Sequence, residues 1–313
     1  MMLSRVADSL YWMARYIERA EHTARLITVH WNLMLDQGST EPRERWERVA
    51  RMLDAPNPDL PPGDDPLTIA RALIFDVDNR SSIVNSIMAA RENAQQVREQ
   101  ISSEMWETLN RVYHTMRQSN LDDFWSAEPL DFLRSVVESA HLFMGITDST
   151  MRHGDGWHLI HTARHVERAC ALSQMLRVHY KDQVDDPLEW AGLLRGSTAF
   201  EAYCKVYTAE LRPQSIAEFL ILDADFPHSL RFCALRIARG LKEIGRSLPA
   251  HKTMRIARLS GRFQAHVEFT PIGEVLSAGV QDFLTGVIRQ CLEIHKEIYH
   301  VYISYPVEAA IET

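Results

Sequence analysis

One heptapeptide occurs twice, and it constrains the chain more than any other feature. Ala14-Arg15-Tyr16-Ile17-Glu18-Arg19-Ala20 is matched by Ala163-Arg164-His165-Val166-Glu167-Arg168-Ala169, 149 positions later. The register persists, since Val29-His30-Trp31 aligns with Val178-His179-Tyr180. A second marker, Asp76-x-Asp78-x-x-x-Ser82-Ile83, returns as Asp223-x-Asp225-x-x-x-Ser229-Leu230, 147 positions on. Two markers at nearly equal offsets point to an internal duplication, with a period far too long for a solenoid. The expected body is two related helical halves, 1–125 and 126–313, packed as one pseudo-symmetric unit.

Around the first copy, Val6, Leu10, Met13, Ile17, Ala20, Ala24, Ile27, Trp31 and Met34 recur at alternating spacings of four and three. That is the seam of a helix packed lengthwise on other helices. Tyr11, Arg15, Glu18, His22 and Arg25 hold the same spacing roughly 100° around the axis, beside the seam. Small Ala20 and Ala169 predict a close crossing of the two motif helices, with Glu18 and Glu167 brought near one axis. Two carboxylates held close would raise one pKa, an arrangement used for acid–base work. Arg15 and Arg164 could instead neutralise them in a structural network. For Arg15, Glu18, Glu21 and Arg25 the plain alternative is a set of surface ion pairs, each worth about 0.3–0.5 kcal/mol.

The rest of the chain reads as helices. One is expected from about Ser4 to Leu35, closed by Gln37-Gly38-Ser39, with a short one around 43–53. Five prolines between Asp54 and Pro66 forbid regular structure there. Ser81 or Ser82 caps a helix to about Gln100, and Ser102 or Ser103 starts another. The pattern breaks at Asn120–Pro129, the expected boundary between halves. Helices follow over 131–151 and 157–180, then a short one opened by Asp185-Asp186-Pro187 and one over Ser197–Leu211. Ser215-x-x-Glu218 reads as a capping box, Ser229–Ser247 as helical, and Thr253–Arg262 as a weak helix. Gln264–Thr270 alternates and could be extended, and a last helix runs from Glu274 or Ser277 to Tyr302. No two strand-like runs could build a sheet, so the fold class is all-α, a bundle of long helices.

A net charge of -8 argues against a nucleic-acid partner. No run of about 18 apolar residues is present, which argues against a membrane span. Cys170, Cys204, Cys233 and Cys291 lack zinc or redox spacing and read as buried free thiols. With the charged residues near the N-terminus, this gives a cytoplasmic expectation. Neither a glycine-rich phosphate loop nor a nucleophile motif appears, so no cofactor is expected and ATP is not expected to bind this chain alone. Asp76, Asp78, Asp223 and Asp225 have the form of turn residues. Their repetition also makes Asp76, Asp78 and Asn79 candidates for supporting a site. Glu138-x-x-His141 and Glu297-x-x-His300, with Glu18 and Glu167, satisfy the formal ligand count of a di-metal carboxylate bundle, although both pairs lie outside the repeat register.

Leu3-Ser4-Arg5-Val6-Ala7-Asp8-Ser9-Leu10-Tyr11-Trp12-Met13-x-Arg15-Tyr16-Ile17-Glu18-Arg19-Ala20-Glu21 resembles the opening of the bacterial alpha-E domain family. Asp76-x-Asp78-Asn79-Arg80-Ser81-Ser82-Ile83, Ala90-Arg91-Glu92-Asn93-Ala94 and Glu104-x-Trp106-x-x-Leu109-Asn110 extend the likeness over nearly the whole chain. Arg15, Glu18, Arg19 and Glu21 sit where the family motif has them, and His22 stands where the family has Asn. The resemblance implies a partner of the ATP-grasp ligase type and a role in ATP-dependent peptide or amide-bond chemistry, with a peptide or amino-acid substrate. On that reading Glu18, Glu167 and Glu21, oriented by Arg15 and Arg164, are the catalytic candidates. Tyr11, Arg19, Arg25, Asp76, Asp78, Asn79 and Arg91 are the candidates for substrate or partner contact. The alternatives are a non-catalytic scaffold that binds the ligase, and the di-metal bundle.

Overall fold

The computed structural model describes residues 3–35, 41–56, 65–118, 129–182, 186–208 and 210–303. The expected Gln37-Gly38-Ser39 stop, most of the proline loop, Asp185 and the 125/126 boundary lie outside them. Among the described residues the secondary structure is entirely helical, as the periodicity requires.

The helices are α1 (Ser4–Leu35), α2 (Pro42–Met52), α3 (Leu67–Phe75), α4 (Ile83–Gln96), α5 (Ser103–Gln118) and α6 (Pro129–Thr150). There follow α7 (Asp155–Lys181), α8 (Pro187–Gly196), α9 (Phe200–Tyr207), α10 (Pro213–Leu222) and α11 (Leu230–Gly245). The last three are α12 (Ala250–Phe269), α13 (Ile272–Ala278) and α14 (Val280–Ile298), the chain then widening into a π-helical turn at Tyr299–Ile303.

The two motif helices, α1 and α7, pack on each other at the centre. The α1 helix lies on α4 and α6, and α7 lies on α11 and α14. The short helices cross over, α2 resting on α7 and α8 on α1. The apolar seam is the reason: Leu10, Met13, Ala20, Ala24 and Ile27 on α1, with Leu159, Ala163, Val166, Ala169 and Leu176 on α7, are at most 3% exposed. Gly196 and Gly240 allow close approaches. A Cβ on Gly196 would meet Leu26 of α1 at 2.9 Å, and one on Gly240 of α11 would collide with Thr162 of α7.

The two Asp markers build the same turn. Asp76 Oδ1 accepts from Asp78 N at 2.9 Å, and Asp223 Oδ1 accepts from Asp225 N at 2.9 Å. Ser82 then caps α4 by accepting from Asn85 N at 3.1 Å, and Ser229 caps α11 by accepting from Phe232 N at 3.0 Å. Each serine hydroxyl also donates back, to Asp76 O and Asp223 O respectively.

Several local expectations need correction. The segment 264–269 is helical, inside α12, because Ile256, Ser260, Phe263 and Val267 bury one face at helical spacing. The capping box at Ser215 does not form. Pro213 suits the first turn with its missing N–H, so α10 begins before Ser215. The segment 197–211 shrinks to α9, closed at Thr208 with φ 51°. The last helix is split by Gly279 at φ 106°, a conformation that disfavours a side chain. Among the cysteines, Cys233 and Cys291 are buried, whereas Cys170 and Cys204 are half-buried.

Candidate functional site

At the α1–α7 crossing the motif residues interlock reciprocally. Glu167 accepts from Arg15 Nε and Arg19 Nε, both at 2.6 Å. Glu18 accepts from Arg164 Nε at 3.0 Å and Arg168 Nε at 2.5 Å. Each helix thus clamps the other's glutamate between two guanidiniums one turn apart, the spacing that places i and i+4 on one face. The arginine next to each glutamate also ties down a marker turn. Arg19 Nη1 donates to Arg80 O at 3.3 Å, and Arg168 Nη1 donates to Pro227 O at 3.0 Å. Those acceptors are themselves 147 positions apart.

The surface-ion-pair alternative is therefore overturned: Arg15, Glu18, Glu21, Arg25 and Glu167 are all under 9% exposed. So is the expected sharing of one raised pKa between Glu18 and Glu167. Burial pushes Glu167 upward, but Arg15 and Arg19 outweigh it and hold the carboxyl at about 2. Burial likewise acts against Glu18, and Arg168 and Arg164 carry it well below the usual range. Both are carboxylates at neutral pH, held as anions rather than poised to exchange a proton.

Deeper in the crossing, Glu21 pairs with Arg25, whose Nε donates to Gly196 O at 2.8 Å. Burial lowers Arg25 to about 9, which still leaves it charged at neutral pH. Tyr11 lies on the Glu167 side, where its hydroxyl is 3.1 Å from His295 Nδ1 and the two rings stack at 5.5 Å. Asp76, Asp78 and Asn79 serve their turn, Asn79 Oδ1 accepting from Ser81 N at 2.9 Å. Arg91 stands apart, donating to Asn110 Oδ1 at 2.7 Å and lying over Tyr113 at 4.5 Å.

The di-metal expectation fails on geometry. Glu18 and Glu167 are occupied by arginines, Glu297 pairs with Arg255 at 3.2 Å, and His141 lies 3.5 Å from Glu21. Among the described residues no group of three His, Cys, Asp or Glu side chains converges on a metal position.

Two features lay outside the sequence reading. One is a second buried ion cluster, where α2 meets α8. Arg45 Nη1 lies 2.8 Å from Glu189 Oε1 and Arg48 Nη1 lies 3.0 Å from Glu189 Oε2, with all three side chains at most 3% exposed. The other is a cleft of about 1140 Å³ between α6, α7 and α11, opening directly on Arg164 and Arg168. His161 and His165 of α7, His228 from the second marker turn, and Arg236, Arg239 and Lys242 of α11 line it. Its acidic groups are Asp148 and Glu243. His161 Nε2 lies 2.8 Å from Asp148 Oδ1, which also accepts from Trp157 Nε1 at 3.0 Å. Burial lowers His161 to about 4, and burial with the neighbouring arginines takes His165 and His228 well below their usual value. The i, i+3, i+7 run His158, His161, His165 and the three-residue spacing of the α11 cations were visible as sequence.

With the interlock in place, comparison with known proteins is direct. A family described as "a predicted alpha-helical domain with a conserved ER motif" matches residues 2–303. This chain belongs to the Alpha-E family. Glu18-Arg19 and Glu167-Arg168 are Glu-Arg pairs at the centre of that domain, each glutamate bound by arginines of the opposite helix. An uncharacterized protein of Mycobacterium tuberculosis (strain ATCC 25618 / H37Rv) is 24% identical over 263 residues, covering 77% of this chain and 30% of that protein. An uncharacterized protein of Mycobacterium bovis gives the same identity and coverage. The chain therefore spans only 30% of the length of these curated relatives. No solved structure matches. No helix among the described residues is long and apolar enough to cross a membrane.

Proposed function

We propose that this Alpha-E chain is the helical component of a system that forms or modifies peptide or amide bonds beside an ATP-grasp-type ligase. Within that system Glu18 and Glu167 act as a rigid frame, and the cleft beside Arg164 and Arg168 receives the substrate. The observation that carries the frame role is the reciprocal clamp, with both carboxyls held below their ordinary range. An acid–base glutamate serves best with a pKa near the working pH, and clamping by two guanidiniums moves it the other way. The ligase partner is supported by the likeness of the opening motif to the family. The length of the curated relatives outside the match also supports a segment that works beside other protein. The same reading takes the chain as a duplicated unit, supported by the matching turns and the reciprocal pairs.

The test is retention of an ATP-grasp protein on the tagged chain from native extract, followed by ATP-dependent amide-bond formation in the reconstituted pair. Glu167→Gln should lower activity only in proportion to the folded fraction. Absence of an ATP-grasp protein overturns the partner assignment. A fully folded Glu167→Gln chain without activity restores the catalytic role.

A further inference from the structure

The α6–α7–α11 cleft is basic on one side of the molecule only. Carried through the repeat register, Arg236, Arg239 and Lys242 of α11 correspond to Ala89, Glu92 and Gln95 of α4. His161 and His165 of α7 correspond to Trp12 and Tyr16 of α1. The clamp forms equally on both sides, so it does not require these cations. Arg236, Arg239 and Lys242 are exposed and make no ion pair among the described residues. Arg236 lies over the Phe232 ring at 4.8 Å, and a row of cations that meets no carboxylate among the described residues, on the rim of a large cleft, is the mark of a site for anions.

The other lining groups narrow the class of anion. Glu243 is paired with Arg246. A bare phosphate has no use for Asp148, which also faces the cleft and presents a half-exposed carboxylate beside His161 and Trp157. A peptide does, through its amine and amide N–H groups, while Trp157, Phe226 and Phe232 offer surface to its aliphatic stems. At 1.5 Å per residue, Arg236 to Lys242 spans about 9 Å of helix. Acidic side chains two residues apart on an extended peptide are about 7 Å apart, which that row can meet. The volume of about 1140 Å³ exceeds the roughly 300–1,000 Å³ usual for small-ligand pockets and suits a short peptide.

We propose that this cleft binds an acidic peptide segment, its carboxylates on the Arg236–Arg239–Lys242 row and its amine end toward Asp148. The inference names the substrate class of the proposed function and to that extent rests on it, yet it is a property of this chain alone.

The experiment titrates the full chain with tri-glutamate carrying free termini, with tri-lysine, and with inorganic tripolyphosphate, at fixed low ionic strength. Tri-glutamate should bind and tri-lysine should not. Arg236→Ala/Arg239→Ala should weaken tri-glutamate at least about tenfold, since each lost charge-assisted contact is worth about that factor. Arg71→Ala/Arg258→Ala, which removes the same charge from exposed positions outside the cleft, should change it less than about twofold. Unchanged thermal melting of both variants verifies that the fold is intact. Equal weakening by both variants, or no tri-glutamate binding at all, overturns the proposal. Tripolyphosphate binding as tightly as tri-glutamate overturns the peptide assignment. Tri-glutamate binding without a ligase partner counts against the proposed function alone, and a ligase partner without tri-glutamate binding counts against this inference alone.

Discussion

The two sides of the α1–α7 clamp have the same ions and opposite surroundings. On the Glu167 side, aromatic rings close over the arginines: Arg15 lies 5.0 Å from the Trp12 ring, and Arg19 lies 5.5 Å from the Tyr16 ring. His295 completes that packing, edge-on to Trp12 at 5.4 Å. On the Glu18 side the equivalent positions are histidines, and the wall opens into the basic cleft. One ion arrangement thus serves twice as framework, and the difference in covering decides where a ligand can enter. The proposed site lies on the open side, and the closed side shows what the frame needs by itself.

The largest expected effect comes from breaking the frame. Glu167→Gln leaves buried Arg15 and half-buried Arg19 uncompensated, and Glu18→Gln does the same to buried Arg168 and half-buried Arg164. Each should cost about 3 kcal/mol or more by equilibrium unfolding, the usual result of removing one partner of a buried pair. Comparable losses from the two variants would sustain the equivalence of the sides. A loss confined to Glu18→Gln would break it.

Gly240→Ala comes next. The added methyl collides with Thr162, so α11 and α7 must separate, at a cost of about 1–3 kcal/mol of unfolding free energy. Because Gly240 lines the open cleft, this variant should also change tri-glutamate affinity.

Acid should weaken the fold in two stages. His30 and His179 are lowered by burial to about 3, and His22 to about 4, so they stay neutral when folded. Their folded values lie below the unfolded one near 6.5, so the unfolded chain binds protons first. Stability from these residues is complete above about pH 6.5 and falls as pH drops toward 3. Glu18 and Glu167 have the same sign. Their contribution is present above about pH 4.5 and is lost as pH falls toward 2. Melting temperature against pH should therefore bend downward below about 6.5 and steepen below about 4.5. A flat profile to pH 5 would contradict the neutral burial of the histidines.

The smallest stability effect belongs to the open side. Arg236→Glu should cost no more than about 1 kcal/mol of unfolding free energy, since an exposed arginine loses only its place over the Phe232 ring. It should nonetheless abolish tri-glutamate binding, which separates frame from site.

The helical class and the central role of the two heptapeptides were legible because both rest on local periodicity. Leu10, Met13, Ile17 and Ala20 state a buried stripe whatever surrounds them. That Arg15 and Arg164 neutralise the two glutamates was open in the sequence as an alternative to a shared proton, but the choice between them, and the part of Arg19 and Arg168, was not legible. The sense of the crossing depends on helix rotation, which spacing does not supply. The Arg45–Arg48–Glu189 cluster escaped for a related reason. Pairs 141 and 144 positions apart leave no periodic trace, and α2 and α8 look like ordinary charged helices. Gln264–Thr270 misled because a few alternating residues fit both periods. Only the longer run from Ile256 to Val267 decides for a helix. The basic rim of the cleft could have been found by setting 155–245 against 6–98 in the register of the two motifs, since it lies where the two stretches differ.

Urea unfolding of Glu18→Gln and Glu167→Gln decides whether both glutamates are framework. Both midpoints should fall, the losses matched within about 1 kcal/mol of unfolding free energy, with unchanged m values. Wild-type midpoints for both variants would contradict the framework role, because a clamped pair of buried carboxylates cannot lose its charge without destabilising the fold.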